Sequence, residues 1–515
     1  MKYRVISLLT VAFLVVFCAG ATILADKPPE KLVRYHQHEQ AQTLADLSAQ
    51  DRQAASQLNI DPDTFATHLP VVSIDTGGQD IPGEAIFDDQ GMALRDAEGI
   101  LQTTLADDGA ETVPVRFTLC AADEDEPRAV CLSDPPAVDE QAEMHVRGHS
   151  SRQFDKKSYQ LRFTEGDRVT PVEEDLLGMG KGSNWILNGP FLDKALLRNY
   201  VALNLFGEVM PFTPEVRLCE LFVNGEYRGV YLLMESIRRD ENRINIRKSD
   251  PSSAATSFIV KRDWLSKDPG TVRDFLIETM ETDSPLDIVY PSEDALTASQ
   301  KQWIGDEFNR LEKALYSYDY DTPNYGYENT IDVDSFVDYF IVNELALNSD
   351  AALYSTYFYQ DLGGKLTVGP LWDFNNAFDN YMERDLSENG FLLIERPMYF
   401  MLLKDERFTD RVIERYRELR EDILSDRRLE SYIADAAAYL EVPAERNWKV
   451  WGYSFSPEEV DVNMKLAPDS RNPRSWEAAL AQMRESLLNR ARWLDRNIEN
   501  IKQFSHESAV KRYNP

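Results

Sequence analysis

Apolar and polar residues alternate with a period of two in several short stretches between about residues 68 and 261, and recur at spacings of three and four from about residue 296 onward. The first pattern puts successive side chains on opposite faces of a strand, and the second lines one face of a helix. Strands are expected at His68–Asp75, Val113–Leu119, Ala142–Arg147, Lys157–Phe163, Val216–Val223 and Gly229–Glu235, with a short apolar one at Phe258–Val260. Asn224-Gly225 between two of these is a strong hairpin signal, since both residues accept the left-handed conformations such a turn needs. Helices are expected at Lys194–Phe206, Leu296–Tyr316, Ser335–Leu347, Arg407–Leu424, Leu429–Leu440 and Ser475–Lys502. One further hairpin interrupts the helices: Tyr354–Asp361, a turn at Gly363-Gly364, then Lys365–Trp372. The pattern predicts an α+β chain: a strand-rich N-terminal lobe over 68–265, a helical C-terminal lobe over 266–515, and a cleft between them. Residues 26–67 are polar and read as a linker or weak helix, with order beginning near His68.

Composition narrows the setting. Asp and Glu number 88 against 55 Lys and Arg, a formal charge of −33 over 515 residues. Such a surface repels nucleic acid and anionic headgroups and suits cationic partners, bound metal ions or a salty medium. Residues 1–25 carry Lys2 and Arg4, an apolar run from Val5 to Cys18, and Ala19-Gly20-Ala21, the layout of an export signal. A retained N-terminal anchor is the main alternative, and a lipoprotein at Cys18 ranks behind it because Phe17 is bulky where a small residue is wanted. Each of these places the protein outside the cytoplasm, in a periplasm, at the cell surface or secreted. Cys120 and Cys131 flank a polar loop and could pair in an oxidising compartment, while Cys219 lies in an apolar run and reads as a buried thiol.

Two constellations carry chemistry. Asp350 precedes the first strand of the Gly-Gly hairpin and Asp373 follows the second, so folding the hairpin brings both to the same end. Paired carboxylates among asparagines suit a hard cation and phosphoryl transfer. The alternative is that these residues cap helices and turns. The second constellation is Arg147-Gly148-His149-Ser150-Ser151-Arg152, a turn rich in donors that leads to Lys156-Lys157. Such a turn can cradle phosphate. Alternation places Lys157 on the inward face with Tyr159, Leu161 and Phe163, and Lys156 outward unless a bulge shifts the register; the alternative is a solvated basic edge strand.

These stretches resemble the CotH kinases. The matching runs are HLPVVSID at 68–75, VRGHSSRQFDKKSYQLRF at 146–163, WILNGPFLDKALLRN at 185–199, FVNGEYRGVYLLMESI at 222–237, NELALNSDAALYSTYFY at 343–359 and GPLWDFNNAF at 369–378. The resemblance implies an atypical protein-kinase-like fold that binds ATP with Mg²⁺ or Mn²⁺ and phosphorylates serines on partner proteins of a coat. It implies that Asp350 is the catalytic base and Asp373 the metal ligand, with Asn375 beside it. Arg147, Ser150, Ser151, Arg152, Lys156 and Lys157 would form the phosphate-side turn and nucleotide lysine. Glu235 would stand near the junction of the lobes, and Asp193 with Arg198 would brace the cleft. Two departures bear on activity. Many relatives have a second acid where Asn375 stands, and an asparagine where this chain has Ser355-Thr356. The readings left open are an active kinase acting on an exported partner, an inactive kinase fold that organises a coat or envelope, and a secreted metal-dependent hydrolase.

Overall fold

The computed structural model describes residues 30–511 apart from 98, 124, 265–284, 385 and 397. The expected export segment at 1–25 lies outside these residues. Among the described residues no helix is long and apolar enough to cross a membrane.

Strands and helices are both present, as the two periodicities predict. β1 (Val71–Asp75), β2 (Val113–Cys120), β3 (Val138–Arg147) and β4 (Ser158–Phe163) are successive antiparallel neighbours. A small separate hairpin, β5 (Glu174–Asp175) with β6 (Lys181–Gly182), precedes β7 (Asn184–Asn188). β8 (Val216–Val223) and β9 (Glu226–Glu235) complete a closed barrel in the order β1-β2-β3-β4-β7-β9-β8. β8 closes it by pairing parallel with β1. Asn224 (φ 51°) and Gly225 (φ 78°) make the tight turn between β8 and β9, as their sequence signal requires. The barrel interior is filled by alternating residues, among them Val115, Phe117, Met144, Leu161, Trp185, Leu221 and Leu233. Closure removes the exposed edges that an open sheet would present.

A second sheet has the order β11-β10-β12-β13, from β10 (Phe258–Arg262), β11 (Leu286–Tyr290), β12 (Thr356–Gln360) and β13 (Thr367–Val368). β12 and β13 are the Gly-Gly hairpin, in register Phe358↔Val368 and Tyr359↔Thr367. The helices Ala298–Tyr316, Val333–Ala346, Glu406–Glu421, Asp426–Trp451 and Trp476–Asn497 pack around this sheet in one continuous apolar core. The fourth outruns its expected end at Leu440 and passes through Pro443. Proline forfeits a backbone hydrogen bond, but Pro443, Ala444 and Arg446 are buried, so tertiary packing carries the helix onward.

The possible Cys120–Cys131 pairing is corrected: both are free thiols, and Cys219 is the buried thiol expected. Residues 30–67, read as a linker or weak helix, hold two short helices, Gln37–Gln40 and Ala49–Ala55, and are docked on the rest of the fold. Arg34 donates to the carbonyls of Leu203 (3.1 Å), Thr213 (2.7 Å) and Pro214 (2.7 Å). The Gln37 amide both donates to Leu218 O (3.0 Å) and accepts from Leu218 N (2.6 Å), and His38 Nδ1 meets Tyr200 Oη at 2.8 Å. Buried backbone groups need partners, and polar side chains of this segment supply them. Such contacts leave no hydrophobic period to read in advance.

One buried ion pair joins these parts. Arg446 on the Asp426–Trp451 helix meets Glu220 on β8 at 2.7 and 2.9 Å, with both side chains fully buried. The guanidinium also donates to Ala55 O (3.1 Å), Gln57 O (3.0 Å) and Thr67 Oγ1 (2.9 Å), and Tyr227 Oη donates to Glu220 (2.5 Å). Removing one partner strands a buried charge. Arg446→Met is therefore expected to cost about 3–5 kcal/mol in denaturant unfolding, and Glu220→Leu combined with Arg446→Met to cost less than either single change. A double variant weaker than both singles would show that the pair is not the unit argued here.

Candidate active site

Asp350 sits in the turn that follows the Val333–Ala346 helix. Leu347 ends that helix in the left-handed conformation (φ 47°), and its N–H and that of Asn348 return to the carbonyl of Asn343. The chain then turns back on Asp350, whose carbonyl accepts from Leu353 N (3.0 Å) and Tyr354 N (2.8 Å). The carboxylate receives Asn376 Nδ2 at 3.0 Å and Ser349 Oγ at 3.3 Å. Burial, then the nearby charge of Asp373, pushes its pKa up to about 6.

Asp373 follows β13 with φ 54°. Its Oδ1 accepts from Asn375 Nδ2 (2.8 Å) and Asn375 N (3.4 Å). Burial raises its pKa, and the Arg147 charge opposes that rise. The left-handed backbone costs energy in a non-glycine residue, and neighbours hold it. Asn199 Oδ1 accepts from Phe374 N (2.7 Å) and its Nδ2 donates to Asn375 Oδ1 (3.0 Å). Arg198 donates to the carbonyls of Ala377 and Phe378, each at 3.1 Å, and pairs with Asp193 at 2.7 Å, both side chains buried.

The turn after β3 lies against the same loop. The Arg147 guanidinium carbon stands 5.5 Å from the centre of the Trp372 ring. Gly148 has φ 111°, and a Cβ there would come 1.9 Å from Ser151 Oγ, so the position demands glycine. Ser150 and Ser151 open a single helical turn, Ser150–Gln153. Arg152 donates to Gly148 O (2.6 Å) and Gly83 O (2.5 Å), which makes it a brace of the turn.

The Arg147 charge thus bears on Asp373, with Asp350 close by. A family model described as CotH kinase protein matches residues 144–494. The chain belongs to the CotH kinase family. The match takes in the turn after β3, Asp350 and Asp373. The inner spore coat protein H of Bacillus subtilis (strain 168) is 31% identical over 102 residues, 20% of this chain and 25% of that protein. The chain thus spans a quarter of the length of that curated relative.

Within this CotH kinase domain the remaining sequence-derived residues fall in different surroundings. Lys156 and Lys157 reverse the orientation that alternation suggested. Lys156 is buried, its Nζ donating to Val230 O (2.6 Å) and Asn447 Oδ1 (2.7 Å) and lying 5.0 Å from the Tyr231 ring centre. Lys157 Nζ reaches Arg152 O (3.1 Å) and Glu84 (3.2 Å). The two lysines precede β4, where their carbonyls pass so near Gly189 that a Cβ there would meet them at 2.4 and 3.0 Å. The period of two therefore starts only at Ser158. Glu235 is buried against Lys31 (2.5 Å), Arg243 (2.8 Å) and Glu215 N (2.8 Å), a saturated set that ties the N-terminal segment to β9. Asn375 gives its NH₂ to Asp373 and its carbonyl to Asn199, so it orients Asp373.

Three charged residues near the carboxylates were not singled out from the sequence. Asp263, just past β10, adds negative charge felt by both Asp350 and Asp373. Lys261 pairs with Asp263 at 3.4 Å. Arg396 donates to Ser349 O at 2.7 Å, next to Asp350. The available signal was the strand at 258–260: continued by alternation, it puts Lys261 and Asp263 on one face. Arg396 lies in irregular chain, where no period points to it.

The Asp193–Arg198 pair makes a testable claim about this loop. Arg198→Met leaves Asp193 buried without its partner and releases two carbonyls, so a loss of about 3–5 kcal/mol is expected. Amide exchange at 375–378 should accelerate more than in the barrel strands. Uniform acceleration through the chain would show that the pair supports the whole fold and has no particular hold on the loop.

Proposed function

We propose that this protein transfers the γ-phosphate of ATP to a serine or threonine of an exported coat or envelope protein, with a divalent cation, between a strand-rich and a helical lobe. The observation that carries the reading is the carboxylate pair: Asp350, with its pKa raised to about 6, stands beside Asp373 and faces the turn that carries Arg147. A base with a pKa near the working pH can take the acceptor hydroxyl proton. The donors fit a hard cation. Asp373 Oδ2 has no hydrogen-bond partner among the described residues, and the flanking asparagines turn their NH₂ groups toward the carboxylates, leaving carboxylate oxygens as the ligands. Among the described residues no three His, Cys, Asp or Glu side chains form a metal cage. A magnesium-type ion held by one or two carboxylates and completed by phosphate and water needs none. Asp373 would hold that ion, and the ion would neutralise charge on the phosphates. Arg147 would meet phosphate oxygens, Asn375 and Asn199 would keep Asp373 in place, and Asn376 and Ser349 would aim Asp350.

The family membership supports kinase-like chemistry, and the spore-coat relative supports a coat or surface setting. A specific observation favours a second reading, a nucleotide-binding or coat-organising protein without transfer. Asn375, where many relatives carry an acid, has both ends of its amide engaged, which leaves the cation one carboxylate fewer.

Calorimetry with ATP and Mg²⁺ or Mn²⁺ should show metal-dependent binding that disappears in Asp373→Ala. Binding that ignores both the metal and the substitution would sink the proposal. Phosphate transfer in Asp350→Ala should fall by about 10²–10⁴ with nucleotide binding retained, and binding without any transfer in the unaltered protein would favour the second reading.

The pH dependence has a definite sign. The base must be ionised, so transfer should rise as pH climbs through about 6. For stability the sign reverses. A carboxyl with a folded pKa above its ordinary 3.8 opposes folding above about 6, and the penalty vanishes below 3.8. Asp350→Asn should therefore melt higher than the unaltered protein above pH 6 and lose that advantage in acid. An unchanged melting profile at every pH would contradict the raised proton affinity.

A further inference from the structure

We propose that Lys261 is the phosphate-facing lysine of this site, held ready by Asp263. The inference rests on the phosphotransfer reading and adds a residue to it. β10 pairs with β12 in the register Lys261↔Tyr357 and Arg262↔Thr356. Residues two apart share a face of a strand, so Lys261 and Asp263 lie on the same face as Tyr357 and Ser355. Asp263 Oδ1 accepts from Ser355 N (3.4 Å) and Trp264 N (3.0 Å), which ties it to the loop that starts at Asp350. Along that face the Tyr357 ring meets Trp372 edge-on at 6.3 Å, and Trp372 lies against Arg147. The Trp264 ring is stacked between His149 of the β3 turn (5.2 Å) and Tyr354 (4.1 Å). The pair is therefore bordered by the turn, by the residue before Asp373, and by the loop after Asp350.

The other lysines near the turn are committed elsewhere. Lys156 is buried against Val230 and Asn447, and Lys157 holds Arg152 O and Glu84. Lys261 has three N–H donors and among the described residues one hydrogen-bond partner, a long 3.4 Å contact to Asp263 Oδ2. Its side chain is 28% exposed, so donors remain for an incoming anion. Asp263, Asp350 and Asp373 gather here with Lys261, Arg147 and Arg396 as the nearby cations. A polyphosphate entering beside three carboxylates would need such cations to receive it.

The test uses the full chain and two probes, ATP and inorganic tripolyphosphate, each with Mg²⁺. Lys261→Met should weaken both by about 10- to 100-fold, the loss of a hydrogen bond between charged groups, with the melting temperature kept. Lys261→Arg should recover most of the affinity. Equal binding by Lys261→Met and the unaltered protein overturns this inference alone and leaves the phosphotransfer reading standing. Loss of binding in Lys156→Met or Lys157→Met with Lys261→Met unaffected overturns it as well. Absence of ATP binding in the unaltered protein overturns both readings together.

Discussion

The fold turns on a charge pair buried where three parts of the chain meet. Glu220 belongs to a barrel strand, Arg446 to the longest helix, and the guanidinium also binds carbonyls from residues 55 and 57. Two ions removed from water gain from each other only if geometry is good and the remaining donors and acceptors are met. Here both oxygens and all three guanidinium nitrogens are occupied. Apolar packing tolerates small slips, but this arrangement does not. It sets where the helix lies on β8 and β9, and with them where the β3 turn stands relative to the loop of Asp373.

The site concentrates what the whole surface spreads out. The chain carries a formal charge of −33, and three aspartates gather at the candidate site with Arg147, Lys261 and Arg396 as nearby cations. A buried carboxylate beside another keeps its proton to higher pH. Crowding of this kind is relieved by positive charge brought close to the carboxylates. Burial dominates for both Asp350 and Asp373, and their neighbours then separate them: Asp350 is raised further by Asp373, while Asp373 is eased by Arg147. Both carboxyls are raised, and the neighbours that act on each differ.

Much of this architecture was legible in advance because one face of each element is buried. Alternation gave most of the barrel strands, and three-to-four spacing gave the long helices to within a few residues, apart from the extension through Pro443. The Asn-Gly turn and the Gly-Gly hairpin were readable because both need backbone that glycine and asparagine allow. β7 and β11 were missed. β7 lies in the run 185–199 that was read mainly for its motif, and β11 is a five-residue strand at the edge of its sheet. The segment from Arg34 to His38 was misread because its contacts are polar and long-range. At the site, Asp350, Asp373 and Arg147 could be named from local sequence. Lys261 and Asp263 could not, because their place beside the hairpin depends on β10 pairing with β12 almost a hundred residues away. The lysine orientation failed for a local reason: the strand begins one residue later than the alternation implied.

The clamp on the loop after β13 bears on how such a protein could be controlled. Phe374 is wholly buried, its N–H is taken by Asn199, and Arg198 grips the carbonyls of Ala377 and Phe378 from a buried pair with Asp193. Inverting this loop would unseat an aromatic ring and open a charge pair in the interior. An on-off switch by loop inversion is correspondingly expensive here. Any control of this protein would then have to act somewhere other than on the pose of this loop.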